Sequence, residues 1–272
     1  MELNDLNKIA GLFNNTEKMP LLFVGHGNPM NAITQNEFTA GWNKIGKSIP
    51  KPNAIICISA HWETNGTFVT TMERPRTIHD FYGFPVQLSE VEYNAPGSPY
   101  LAGETKKLVT NTAVELDNNW GLDHGCWSVL MHLFPGADIP VIEMSLDYTK
   151  QPKWHYELAR ELSLFRKKGI LIIGSGNIVH NLRMISWQNE NGFDWALEAN
   201  NKFKELITNN DFSNLINYKN LGAEVQLAVP TPEHFLPLLY ILGLKEETES
   251  LSFFNDKTEL GSISMTSLII IK

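Results

Sequence analysis

The residues best suited to chemistry in this chain are histidines that follow short apolar runs. His26 comes after LLFVG, His61 after AIICISA and His180 after ILIIGSGNIV. His234 comes after EVQLAVPTPE, so four of the eight histidines occupy such a position. Neutral imidazole is the commonest protein ligand of metals, and it also exchanges protons near neutral pH. The pattern therefore predicts a metal site or a proton-transfer site at the ends of these runs.

A single histidine beside an apolar run is more often a structural residue. Four in equivalent positions favour the metal site, because a cation at the edge of a sheet needs ligands that different strands deliver. Gly25 and Gly27 flank His26 and would let the backbone turn sharply there.

The apolar runs predict buried strands, since they do not alternate with polar residues. These runs are LLFV (21–24), AIICIS (54–59), VIEMS (141–145), ILIIGS (170–175), EVQLAV (224–229) and SLIII (267–271). Helical spacing of apolar residues predicts helices within 99–114, 153–168 and 195–209. No linker or repeat divides the chain, so we expect one catalytic domain over residues 1–272, with residues 1–19 as an N-terminal helix or extension. The alternation predicts an α/β fold with a largely parallel or mixed sheet, helices on both faces and a site at the carboxyl ends of the strands.

Composition narrows the choice of partner. The 272 residues carry a formal net charge of −8 and show no basic patch, which argues against a nucleic-acid or anionic-membrane partner. No segment resembles a signal peptide or a membrane helix, so we expect a cytoplasmic protein that acts on a small molecule. Cys57 and Cys126 are too few for a disulfide framework or a thiolate zinc site.

Other catalytic motifs are weak or missing. GSGNIV (174–179) resembles a dinucleotide fingerprint, but Val179 stands where the third glycine is required. The sequence contains no G-x-S-x-G, H-E-x-x-H or P-loop motif. Metal chemistry is therefore the leading interpretation.

Seven ordered motifs resemble one known family. They are GHGNPMNAI, ISAHWET, IHDFYGFP, YNAPGSP, LDHGCWSVLMHLFP, IGSGNIVHNLR and PTPEHFLPLLYILG. From about residue 20 onward the chain resembles the class III extradiol ring-cleavage dioxygenases of the LigB type, in the 4,5-DOPA extradiol dioxygenase branch. The resemblance implies a three-layer α/β/α domain and an Fe(II) site that cleaves a catechol ring beside its two hydroxyls with both atoms of O₂. It also implies that Zn(II) can occupy the site in purified protein.

Transferred to this chain, the resemblance assigns metal binding to His26, His61 and His234. It places His180 beside them as the acid/base residue, or as a fourth ligand when substrate is absent. His124 is a candidate for contacting the bound oxygens, with a loop histidine bonded to backbone as the alternative. These residue types suit the reaction, because catecholate and O₂ need open metal positions and imidazole can carry the proton.

Many iron oxygenases hold the metal with two histidines and one carboxylate, whereas this sequence offers three histidines and has Glu233 directly before His234. We expect it to orient an imidazole, with metal binding as the alternative. His79, Tyr82 and Phe84 form an aromatic motif that would either line a pocket for a flat ring or belong to the core. His132 and His155 fall in helix-like stretches and receive no role.

Two other functions fit the same histidines. A zinc ion held by three imidazoles generates hydroxide, so a zinc-dependent hydrolase is one alternative. A non-catalytic metal-binding module of the same fold is the other, although His180 and His124 would be superfluous in it.

Overall fold

A six-stranded mixed sheet runs through the protein. The computed structural model describes residues 16–189 and 191–272. The strands are β1 Leu21–Gly25, β2 Ala54–Ser59, β3 Glu63–Thr64, β4 Thr67–Thr70, β5 Val114–Asp117, β6 Val141–Glu143, β7 Leu146–Asp147, β8 Ile170–Gly176, β9 Ser250–Phe254, β10 Thr258–Glu259, β11 Ile263–Ser264 and β12 Ser267–Ile271. The helices are α1 Glu37–Ser48, α2 Val86–Ser89, α3 Pro99–Leu108, α4 His124–Leu133, α5 Pro152–Ala159, α6 Ser163–Arg166, α7 Asp194–Thr208, α8 Phe212–Ile216, α9 Ala223–Ala228 and α10 Leu236–Gly243. Short 3₁₀ turns cover Pro29–Ala32, Arg160–Leu162, Leu182–Met184 and Tyr218–Asn220.

The six strands of the sheet lie in the order β6-β2-β8-β1-β12-β9, and the first four are parallel. β6, β2, β8 and β1 all run in the same direction, whereas β12 pairs antiparallel with β1 and β9 pairs antiparallel with β12. The carboxyl ends of β1, β2 and β8 therefore meet at one edge of the sheet, where loops can bring side chains together.

Alternate residues of each central strand face two separate cores. Ile55 and Cys57 of β2 pack with Trp42 of α1 and Trp127 of α4. Residues in between, such as Ile56, belong to a second core formed with α5, α7 and α10. Fully burying one such side chain contributes about 1.5–3 kcal/mol, so both faces stabilise the sheet. The result is the expected α/β arrangement of three layers.

The predicted strand at 224–229 was wrong, because this segment forms α9. Val225, Ala228 and Val229 are buried while Gln226 and Leu227 are exposed, which is the spacing of one helical face and not of a strand. The helix predicted over 99–114 ends at Leu108 in the structure. Val114, the last residue of the predicted range, is the first residue of β5. β9 was not predicted, since it lies at the edge of the sheet and is only partly buried.

The N-terminal prediction lies mostly outside the described residues. Residues 1–15 are not described, and residues 16–19 form neither helix nor strand. Among the described helices, none is both long enough and apolar enough to cross a membrane.

Candidate metal centre

The backbone turns sharply directly after β1, and this turn places His26. Gly27 has a φ of +61°, a conformation that side chains other than glycine rarely adopt. A Cβ atom at Gly27 would also lie 2.2 Å from Sδ of Met265. The glycine therefore allows the chain to leave the sheet with His26 buried at the strand end, 2% exposed.

The end of β8 anchors the neighbouring strand ends. The carbonyl oxygen of Gly176 accepts a hydrogen bond from the backbone N–H of His26 at 3.2 Å, and that of Ser175 accepts one from Ala60 at 3.0 Å. His61 follows Ala60 directly, and His180 lies further along the loop that leaves β8. Three adjacent parallel strands thus deliver three histidines to one edge.

His124 and His234 reach the same edge from helix termini. His124 is the first residue of α4, and Asp123 caps that helix by accepting a hydrogen bond from the N–H of Cys126. His234 lies in the turn before α10, where its carbonyl oxygen accepts a hydrogen bond from the N–H of Asn177 at 2.9 Å. A Cβ atom at Gly176 would lie 2.2 Å from that oxygen, so the turn can approach β8 only at a glycine.

The rings of His26, His61 and His234 form a nearly equilateral triangle. Their centroids are 5.0 Å apart for His26 and His61, 5.3 Å for His26 and His234, and 5.1 Å for His61 and His234. Nε2 of His26 lies 3.1 Å from Nε2 of His61. His124 also belongs to the cluster, since it can offer a ligand atom within 4.8 Å of those of His26 and His61, and His180 and Glu233 can do so with His234.

Each ring of the triangle has its Nδ1 beside an oxygen. Nδ1 of His26 lies 3.0 Å from Oγ of Ser175, which donates its own proton to the carbonyl oxygen of Gly125. The hydroxyl can therefore only accept from His26. Nδ1 of His61 lies 3.3 Å from Oδ2 of Asp80. With Nδ1 protonated, Nε2 carries the lone pair that binds a metal.

The third ring, that of His234, also has an oxygen beside Nδ1 and a free Nε2. Its Nδ1 lies 3.1 Å from Oε1 of Glu233, while its Nε2 is buried without a hydrogen-bond partner. An unpaired buried imidazole nitrogen is costly unless something binds it. The facing lone pairs of His26 and His61 likewise need a shared proton or cation. The donor set therefore fits a divalent transition metal.

Burial and mutual repulsion keep four of these histidines neutral at pH 7. Burial, followed by the neighbouring histidines, holds the pKa of His26 and of His234 well below the usual value. Burial and His124 lower the pKa of His61 in the same way. Burial is also the main reason that the pKa of His180 falls to about 4. Neutral imidazoles are the form that coordinates metal, so the site is prepared for a cation.

Asp80 joins two of these histidines, and sequence reasoning did not single it out. Its Oδ2 lies 3.0 Å from Nδ1 of His124 and 3.3 Å from Nδ1 of His61, and its Oδ1 accepts a hydrogen bond from the N–H of His124. Burial opposes ionisation, but the contacts with His124 and His61 lower the pKa of Asp80 to about 2. The motif IHDFYGFP contained the residue, yet only the fold shows what it contacts.

A cavity of about 520 Å³ opens from the histidines towards solvent. All five histidines of the cluster line it, as do Tyr82 and Phe84. His79 is not among its lining residues, and its Nε2 hydrogen-bonds the carbonyl oxygen of Val91. Glu233 does not line the cavity but contacts Nδ1 of His234. The structure thus brings together the predicted residues except His79, which packs against Phe81 and Trp127.

The chain is similar to known proteins both in sequence and in fold. Residues 19–267 match the family described as the catalytic LigB subunit of aromatic ring-opening dioxygenase. The chain is 43% identical to the 4,5-DOPA dioxygenase extradiol of Escherichia coli strain K12, over 96% of this chain and 98% of that protein. It is 34% identical to the 4,5-DOPA dioxygenase extradiol of Beta vulgaris, over 90% and 94% of the two chains. A crystal structure of an uncharacterized Escherichia coli K12 protein matches with a TM-score of 0.79 and 40% identity, and covers 93% of this chain and 99% of that one.

Proposed function

This chain belongs to the LigB family and is a metal-dependent extradiol ring-opening dioxygenase, and we propose that the histidine cavity is where it cleaves a DOPA-like catechol. The proposed reaction is 4,5-cleavage with incorporation of both atoms of O₂. Its substrates would then be a small-molecule catechol and O₂. The observation that carries the proposal is the set of three clustered imidazoles, two buried and that of His61 partly buried, with an oxygen beside each Nδ1.

We propose that His26, His61 and His234 hold the metal through Nε2. Glu233, Ser175 and Asp80 would orient the rings through Nδ1, which raises the basicity of a ligating imidazole. We propose Fe(II) as the working ion, with Zn(II) able to occupy the same nitrogens. When bound, the ion supplies positions at which both catechol oxygens and O₂ meet.

We propose that the two remaining histidines of the cluster, His180 and His124, act in proton transfer and in contacting the substrate oxygens. The ring of His180 stacks on that of His234, with centroids 3.5 Å apart and an angle of 10° between the planes. Its pKa of about 4 leaves it neutral at pH 7 and able to accept the proton of a catechol hydroxyl. His124 lies 3.9 Å from His61, ring to ring, and its Nδ1 lies 3.0 Å from Asp80. We propose that this contact orients His124 towards the oxygens of the substrates.

The proposed substrate class rests on the relatives and on the aromatic lining. The related proteins of Escherichia coli and Beta vulgaris carry the name 4,5-DOPA dioxygenase extradiol. Phe81 and Phe84 line the cavity with their rings in an edge-to-face arrangement, 5.5 Å apart, and a flat catechol ring suits such a wall. We further propose that the chain forms a single catalytic domain and acts in the cytoplasm.

Anaerobic reconstitution tests these assignments. Metal-free protein would be loaded with Fe(II) or Zn(II), and O₂ uptake and the yellow ring-opened product would be followed with DOPA. We expect turnover with Fe(II) and none with Zn(II). His61→Ala should lose metal and activity, whereas His132→Gln, outside the cavity, should keep both. Turnover by the zinc form alone, or metal retention in His61→Ala, would overturn the assignment.

A further inference from the structure

Two buried carboxyl groups lie next to the histidine cluster without lining the cavity. Glu143 is the last residue of β6, Asp123 is the residue that caps α4, and neither is exposed to solvent. Oε1 of Glu143 accepts a hydrogen bond from the backbone N–H of Asp123 at 2.8 Å. The carboxyl group of Glu143 thus joins the sheet to the helix that carries His124.

The start of α4 is held at two successive backbone positions. The N–H of Asp123 donates to Glu143, and the N–H of His124 donates to Oδ1 of Asp80 at 2.9 Å. The first N–H groups of a helix find no partner within the helix, and the helix dipole favours acidic groups at this end. The backbone of His124 is therefore fixed from the β6 side by Glu143 and from the cavity side by Asp80.

Asp123 also sets α4 against β2. Its Oδ1 accepts hydrogen bonds from Oγ of Ser59 at 2.6 Å and from the N–H of Cys126 at 3.1 Å. Ser59 is the last residue of β2, and its Oγ accepts a hydrogen bond from the N–H of His61 at 3.3 Å. This register matters because the rings of His61 and His124 lie only 3.9 Å apart.

The need to fill space does not explain Glu143. In the described part of the chain its carboxyl group receives hydrogen bonds from Asp123 and from Nε1 of Trp120 at 3.3 Å, and no Lys or Arg pairs with it. A buried carboxyl group without a cation costs stability compared with an apolar side chain of similar size. Burial accordingly raises the pKa of Glu143 well above its usual value. The neutral group still offers the oxygen that holds the N–H of Asp123.

We propose that Glu143 is a positioning residue for ring cleavage, and that it acts through Asp123 to hold His124 in place beside His61. This inference rests on the proposed function, because it uses His124 as a contact for the substrate oxygens. Glu143 itself touches neither the cavity nor the proposed metal ligands. Without it the start of α4 can shift, and a displacement of about 1 Å near the reacting atoms can cost about 100-fold in rate.

Substitutions at position 143 separate the hydrogen bond from the filling of space. Glu143→Gln keeps a side-chain oxygen for the N–H of Asp123, so kcat with DOPA should stay within about threefold of the wild type. Glu143→Leu keeps the bulk but has no acceptor, so kcat should fall about tenfold or more while metal content and KM change much less. Glu143→Asp withdraws the oxygen by one methylene and should show the same pattern more weakly, which provides a second variant if Glu143→Leu does not fold.

Glu249→Gln is the matched control. Glu249 is also buried, but it binds Arg166 and contacts no histidine of the cluster. This variant should lose stability in denaturant unfolding and keep the kcat of the wild type. Equal losses of kcat in Glu143→Gln and Glu143→Leu would overturn the inference, because the hydrogen bond to Asp123 would then not be the cause.

A double-mutant cycle shows whether Glu143 acts through the ring of His124. Glu143→Leu should lower kcat about tenfold in the wild-type background, but by less than about twofold in the His124→Ala background, because residues that act as one unit are not additive. A loss of the same size in both backgrounds would overturn the inference, since Glu143 would then act through another residue.

A measurement without turnover separates this inference from the proposed function. In zinc-loaded protein with isotope-labelled histidine, the ring resonances of His124 should shift in Glu143→Leu and coincide with those of the wild type in Glu143→Gln. That result, with no ring cleavage by the Fe(II) form of the wild type, would support the placement of His124 by Glu143 and overturn the proposed function. Ring cleavage by the wild type with unshifted resonances in Glu143→Leu would overturn the positioning role and leave the function standing.

Discussion

Oγ of Ser175 lies 3.0 Å from Nδ1 of His26 and fixes which nitrogen of that ring is protonated. The hydroxyl proton goes to the carbonyl oxygen of Gly125 at 2.5 Å. The oxygen is therefore an acceptor towards His26, and Nε2 keeps its lone pair. This contact joins β8, the first turn of α4 and a proposed metal ligand, so the helix that carries His124 and the ring of His26 are positioned together.

Ser175→Ala should weaken metal binding about 10–100-fold, the usual cost of losing a hydrogen bond behind a metal-binding histidine. Titration of metal-free protein with Fe(II) or Zn(II) measures this. Ser145→Ala is a matched control, because Ser145 is equally buried but hydrogen-bonds Thr64 and Phe68 and contacts no histidine of the cluster. Equal affinities in the two variants would contradict the role given to Ser175.

Glu233→Gln should also weaken metal binding by about 10–100-fold, because the charge beside Nδ1 of His234 disappears while the ligand nitrogen remains. Glu247→Gln, on the exposed surface, should bind metal normally. If Glu233→Gln lost metal as completely as His234→Ala, then Glu233 would be a ligand and the assignment of His234 would be wrong.

Asp80→Asn should lower both metal affinity and kcat/KM at least tenfold. Both rings face the same carboxylate oxygen, Oδ2, while Oδ1 accepts a hydrogen bond from the backbone N–H of His124. An amide removes the negative charge and places its NH₂ group either against the two rings or against that N–H. Asp138→Asn serves as the control, because Asp138 forms an exposed ion pair with Lys51 and does not line the cavity. An unchanged metal affinity together with unchanged kcat/KM would remove Asp80 from the site.

The fold was predictable where burial decides the structure. β2 and β12 have the predicted bounds, because each is a short apolar run buried almost throughout. The run at 224–229 misled because it too is short and largely aliphatic, although Glu224 and Gln226 interrupt it. Only its tertiary contacts select the helical face of Val225 and Ala228. A short apolar run does not by itself distinguish a strand from a helix.

The site was predictable only in part, for a related reason. His26 and His61 could be found because parallel strands end at one edge. Asp80 could not, because its link to His124 joins residues that lie 44 positions apart. Ser175 belongs to the GSGNIV motif, which resembles a dinucleotide-binding turn, yet its hydroxyl contacts Nδ1 of His26. Contacts distant in sequence decide such roles.

The buried His155 should make stability fall in acid. Burial lowers its pKa to about 4, whereas the unfolded chain takes up the proton near 6.5. The stability that depends on this ring staying neutral is therefore complete above pH 6.5 and is lost as the pH falls from 6.5 to 4, by roughly 3 kcal/mol. Denaturant unfolding of metal-free protein at pH 7.5, 6 and 5 measures the slope.

Two variants test whether His155 causes this loss of stability in acid. His155→Gln should show a smaller loss in acid than the wild type, because the titrating ring is gone. Tyr240→Phe removes the hydroxyl that lies 3.1 Å from Nδ1 of His155 but keeps the buried ring, so its slope should persist. A slope in His155→Gln equal to that of the wild type would assign the acid sensitivity to other groups.

His180→Ala should keep the fold and the metal yet lose most ring cleavage. His180 lies four residues beyond β8 and stacks on His234, a position beside the three proposed ligands. Truncation should therefore remove proton transfer more than metal or catechol binding, and kcat should fall by about 10²–10⁴-fold with a much smaller change in catechol affinity. Metal content measured beside turnover separates the roles. Loss of metal together with activity would make His180 an obligatory ligand, and retention of both would transfer the acid/base role to His124.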